Sequence, residues 1–127
     1  MTQKIVITNQ APAPIGPYSQ AVRAGETVYV SGVIALDPET GELVAGGVPA
    51  QAERVFASLA AIAAAAGGSL ANAVKLTIYL TDLASFGAVN EQMTRAFHAP
   101  FPARATVGVK ELPRGAAVEI DAVLVLS

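Results

Sequence analysis

Apolar positions along the chain alternate between a two-residue and a helical period, and each change of period marks an element. Ile5 to Ile7 reads as a short first strand. Ala21 to Ala24 and Thr27 to Ser31 read as the two arms of a hairpin turning at Gly25-Glu26. From Pro49 the apolar residues Ala52, Val55, Phe56, Leu59, Ile62, Ala63 and Ala66 fall on one broad helix face, and Gly67-Gly68 supplies the stop. Val74, Leu76, Ile78 and Leu80 then alternate with Lys75, Thr77 and Tyr79, the pattern of a strand with one apolar and one mixed face.

A second helix follows, capped by Asp82 or Ser85, with Phe86, Val89, Met93, Ala96 and Phe97 on its apolar side and an end before Pro100. Ala103 to Val109 and Val118 to Leu126 complete the chain as strands, joined by a turn that contains Pro113, Arg114 and Gly115. Between the elements, Ala11 to Gln20 carries three prolines and a glycine, so it is expected as a rigid extended loop outside the sheet. Residues 37 to 41 are dense in turn formers and read as an exposed loop.

This order predicts an α+β architecture, a single mixed sheet with both helices packed on one face, and a single domain over residues 1–127. The last strand is apolar on both sides, since Val118, Ile120, Ala122, Leu124 and Leu126 alternate with Val123 and Val125 beyond Glu119 and Asp121. Two helices cover only one side of a sheet. The other side would be a larger apolar patch than a soluble monomer exposes, so oligomerisation through it is expected.

Composition removes several classes of chemistry. The chain has no Cys and one His, which leaves no disulfide framework, no thiolate nucleophile and no usual zinc or iron ligand set, so no metal and no cofactor is expected. A formal net charge of −2, with Lys and Arg scattered, offers no basic stripe for nucleic acid. The N-terminus shows no long apolar leader core, and the Ala-rich stretch is too short to span a bilayer, which points to a soluble cytoplasmic protein with no membrane partner.

One run stands out within this ordinary composition. FPARATV, Phe101 to Val107, sets Arg104 in an apolar strand, and a charge in such a place needs a partner. The partner is either a protein carboxylate, with Glu119 and Asp121 nearest along the chain, or the carboxylate of a bound small molecule. Alternation puts Thr106 and Gly108 on the face of Arg104, with Ala105 and Val107 on the other. If the last two strands pair as a hairpin, Glu119 can lie opposite or diagonal to Arg104, but the register is open.

The run APIGPYSQAV from Ala13 to Val22, the pair Ser31-Gly32 closing a strand, the segment Phe86 to Asn90, FPARATV, and LPRGAAVEI from Leu112 to Ile120 together resemble the RidA family, also called the YjgF/YER057c/UK114 family of enamine/imine deaminases. The resemblance runs nearly end to end. It implies a chorismate-mutase-like fold, a homotrimer and a cleft at each subunit interface. It also implies hydrolysis of 2-aminoacrylate, 2-iminopropanoate and 2-iminobutanoate to 2-oxo acids and ammonia, without a cofactor.

Position by position, the resemblance makes Arg104 the grip on the substrate carboxylate and Glu119 the acid that orients or activates water. It makes Tyr18 the loop residue that closes the site, as proton carrier or aromatic wall. Ser31, Gly32, Asn90 and Thr106 become substrate contacts, Thr106 standing where many members carry Cys. A non-catalytic module that binds 2-oxo acids and regulates a partner is the alternative function. Ribonuclease or translation-inhibitor activity, assigned to some members, is disfavoured by the missing basic groove and His pair. His98 reads as a helix-terminal residue, Glu53 and Arg54 as a solvated helix face, and Arg114 as an exposed cation near the site.

Overall fold

The computed structural model describes residues 3–127. Six strands, β1 (Gln3–Val6), β2 (Ala21–Ala24), β3 (Thr27–Ile34), β4 (Ala73–Leu80), β5 (Ala103–Gly108) and β6 (Val118–Val125), form one mixed sheet in the order β1-β2-β3-β6-β4-β5. Helices α1 (Gly47–Ala65) and α2 (Phe86–Ala96) pack together on one face of it. The expected architecture of one mixed sheet with two helices is what the chain forms. No helix among the described residues is long and apolar enough to cross a membrane.

Helix α1 begins two residues before the expected Pro49, after Gly46 and Gly47 take positive φ values of 112° and 73°. Its end is the expected one. Gly67, at φ 98°, donates its N–H to Ala64 and Gly68 donates to Ala63, which satisfies the last carbonyls of the helix. The alanines let α1 lie close to the sheet, with Val55, Phe56, Leu59 and Ile62 buried against it. Phe56 meets Phe97 edge to face, ring centroids 5.7 Å apart, and joins the two helices. Asp82 caps a single 3-10 turn, Leu83–Ser85, that runs into α2, while the Ser85 side chain makes no capping bond.

The two C-terminal strands do not form a hairpin. β6 inserts between β3 and β4, antiparallel to both, and β5 runs parallel to β4 at the sheet edge. Burial explains the order. Val118, Ile120, Ala122 and Leu124 are all buried beneath the helices, so this deeply buried strand takes a central position with both edges hydrogen-bonded.

Two bulges adjust the faces. Val30 pairs with Ala122 and Val33 with Ile120, so Ser31 and Gly32 together oppose one residue of β6. That extra residue keeps Val30 and Val33 both on the helix face. Ser31-Gly32 therefore lies within β3, three residues longer than expected, rather than closing it. A second register shift between Ala73 and Lys75 leaves Val74 exposed and off the apolar face assigned to it. On the side away from the helices, Tyr29, Val107 and Val125 are large apolar side chains left exposed.

Candidate functional site

Arg104 stands on edge strand β5, level with Leu76 of β4, and its side chain passes beneath α2. Nη1 donates to Oδ1 of Asn90 and, at 3.5 Å, to the sulfur of Met93. The guanidinium carbon lies 4.9 Å from the centroid of the Phe86 ring. An open space of about 290 Å³ adjoins the group, lined by Asn90, Met93, Thr94, Phe101, Pro102 and Arg104.

No carboxylate among the described residues pairs with Arg104; the ion pairs are Arg23 with Glu26 and Arg95 with Glu91, both on the surface. The sequence-level pairing of Arg104 with Glu119 is thereby overturned within one chain. β4 lies between their strands, and alternation sends Arg104 to the helix face and Glu119 to the other.

Glu119 sits beside the β3 bulge. A Cβ on Gly32 would stand 2.8 Å from Cδ of Glu119, so only glycine lets the carboxylate lie against this backbone. Burial, and then the neighbouring charge of Asp121, raise the Glu119 carboxyl above the ordinary 4.5. Asp121 accepts the Tyr79 hydroxyl at 2.9 Å, which raises the Tyr79 phenol above its ordinary 10.0.

The proline-rich loop brings Tyr18 to the same end of β3. Its hydroxyl oxygen accepts the Ile15 N–H at 3.2 Å and keeps its own proton free to donate. Ser31 donates to the carbonyl of Ser19 at 2.6 Å and so ties the loop to the bulge. Tyr18, Ser31 and Gly32 line one small cavity of about 30 Å³. Gln20, not singled out in the sequence, is buried behind them. Its amide accepts from Thr8 N–H and donates to the carbonyls of Thr8, Ala11 and Pro12, which replaces the sheet bonds that the prolines forbid. A glutamine closing a proline-rich loop is the signal that could have found it.

Thus Tyr18, Ser31, Gly32 and Glu119 gather at one end, while Asn90 of α2 meets Arg104 of β5, whose strand face Thr106 shares. The Thr106 hydroxyl is buried with no hydrogen-bond partner. His98 is exposed just past α2, and Arg114, at φ 61°, donates to the carbonyl of Gly41 at 3.0 Å. Arg54 is not simply solvated, since it reaches Ser58 and the carbonyl of Gln10.

The family model described as Endoribonuclease L-PSP matches residues 8–126. A crystal structure of RidA from an Antarctic Psychrobacter superposes with a TM-score of 0.95 at 49% identity, covering 97% of this chain and 99% of that one. The chain belongs to the RidA family. Among similar proteins, the mouse 2-iminobutanoate/2-iminopropanoate deaminase is 47% identical over 97% of this chain and 91% of its own length. The Myxococcus xanthus protein DfrA is 53% identical over 98% and 97%. This RidA-family chain thus carries Arg104 and Glu119 on opposite faces of one sheet.

Two outcomes test the site's energetics. The folded chain holds the Glu119 proton more tightly than the unfolded chain does, so the native protein loses stability as pH rises from 4.5 through the raised value. Glu119→Gln should therefore melt higher than native at neutral pH, with the advantage vanishing towards pH 4.5; an unchanged or lower melting temperature at neutral pH would contradict the burial argument. Thr106→Val removes an unpaired buried hydroxyl at nearly constant shape. It should gain about 1 kcal/mol in urea unfolding, whereas a loss would show that the hydroxyl has a partner in the assembled protein.

Proposed function

We propose that this protein is a hydrolytic deaminase of 2-imino acids, converting 2-iminopropanoate and 2-iminobutanoate, with their 2-enamine tautomers, to pyruvate or 2-oxobutanoate and ammonia. The observation that carries the reading is Arg104: a half-buried guanidinium held beside an open space, with no carboxylate partner among the described residues. Its planar fork matches a substrate carboxylate. The deaminase name of a relative 47% identical over nearly the full length supports the same class of reaction.

The chemistry asks little of a protein. An imine carbon is already electrophilic, so carboxylate binding, a placed water and proton management suffice. Glu119, once ionised, orients the water and takes a proton as it adds to the imine carbon. The amine nitrogen is protonated in turn, the C–N bond breaks, and ammonia leaves as the carbonyl forms. Tyr18 lines the cavity shared with Ser31 and Gly32, and its hydroxyl can donate to the reacting nitrogen or oxygen. The family model's description names an endoribonuclease, but a net charge of −2 and a single His give little with which to bind or cleave a phosphodiester backbone.

Arg104 and Glu119 of one chain face apart, so the reading requires Arg104 of one copy to meet Glu119 of the next. A head-to-tail contact of this kind gives a ring when its rotation closes and a filament when it does not. A ring of three is what the family resemblance implies, and the exposed Tyr29, Val107 and Val125 supply an apolar face for it to cover.

Two measurements test this. Light scattering should return the mass of three chains at micromolar concentration, and a stable monomer would sink the shared-cleft reading. In a coupled assay with a serine or threonine dehydratase, Arg104→Ala should lower kcat/KM at least about a hundredfold, two charged hydrogen bonds being lost. Its melting temperature should change little, and Arg104→Lys, which keeps charge but loses the fork, should fall between. A destabilised but fully active Arg104→Ala protein would end this assignment.

A further inference from the structure

Phe86, Asn90 and Met93 are spaced i, i+4 and i+7 along α2, and all three converge on the Arg104 guanidinium. Val89 and Met93 are buried in the core, at 2% and 5% exposure, but Phe86 is 42% exposed. Core packing therefore does not account for an aromatic residue at 86. The face of its ring against the guanidinium does.

The same contacts decide which edge of Arg104 is available. A guanidinium can offer a carboxylate either the edge made by its two Nη atoms or the edge made by Nε and Nη2. Nη1 is already engaged by Asn90 and Met93, while Nε and Nη2 have no partner among the described residues. The ring closes one side of the group, and Asn90 holds its Nη1.

We infer that Phe86 is a positioning residue for Arg104, and that with Asn90 it presents the Nε–Nη2 edge to the carboxylate of a 2-imino or 2-oxo acid. The inference rests on Arg104 being the carboxylate grip of the proposed deaminase. It moves Asn90 from a substrate contact to a residue that acts through Arg104. An arginine left to rotate freely would have to be ordered on each binding event, and the ring and the amide remove that cost beforehand.

The test uses the native trimer and 2-oxobutanoate as the carboxylate probe, with affinity measured calorimetrically and turnover in the coupled imine assay. Phe86→Leu keeps an apolar side chain but removes the π face; it should weaken 2-oxobutanoate binding and raise KM by about five- to thirtyfold, with kcat close to native. Phe86→Trp should restore both, since the indole holds a cation at least as well. Native affinity in Phe86→Leu, a failure of Phe86→Trp to rescue, or a fall in kcat with KM unchanged would overturn the positioning role. Arg104→Ala separates the two claims: if it binds 2-oxobutanoate as the native protein does, the carboxylate site itself is wrong and the positioning role falls with it. If it loses binding while Phe86→Leu keeps it, only the role of Phe86 is wrong.

Discussion

β6 sends Val118, Ile120, Ala122 and Leu124 beneath the helices, all nearly fully buried. A strand buried to that depth must pair along both edges, because unpaired amides and carbonyls there would have no water to replace the lost bonds. β3 and β4 supply the two partners. β5, with its polar Arg104 and Thr106, is thereby left to the sheet edge. The alternation of strand side chains then sends Arg104 towards α2 and Glu119 away from it. The need to satisfy one apolar strand thus divides the two charged residues between the faces of the sheet.

Around each half of the site, local geometry carries costs that core packing would not require. The β3 bulge places Gly32 where the Glu119 carboxylate needs room, and the carboxylate is held in surroundings that favour its protonated form. Gln20 places an amide in the interior to satisfy a loop that cannot join the sheet. Thr106 buries a hydroxyl with nothing to bond.

Helix α2 serves both purposes at once. Val89, Met93 and Phe97 close the core, and Phe86, Asn90 and Met93 confine the guanidinium. Met93 belongs to both sets, so the packing that stabilises the fold also fixes the height of Arg104 above the sheet. Because the helix is anchored to α1 through Phe56 and Phe97, the Arg104 guanidinium is referred back to the core rather than to a loop.

Much of this was legible in the chain. Alternation in Leu76, Ile78 and Leu80, the seven-position apolar face of α1 and the Gly67-Gly68 stop are local signals, set by side-chain period and by the φ that glycine tolerates. Arg104 and Glu119 were visible as well, because a charge in an apolar strand is conspicuous without any coordinates, whereas Tyr18, Ser31, Gly32, Asn90 and Thr106 were reached only through the family resemblance. Strand order was not legible, since Ala103 to Val109 and Val118 to Leu126 look like adjacent hairpin arms, and only competition among all strands for the central position separates them. The bulges at Ser31-Gly32 and Val74 were hidden for the same reason: a bulge is a property of two paired strands, and neither strand shows it alone. What tertiary structure decided was therefore which residues face one another, because facing depends on register and neighbours that distant segments of the chain supply.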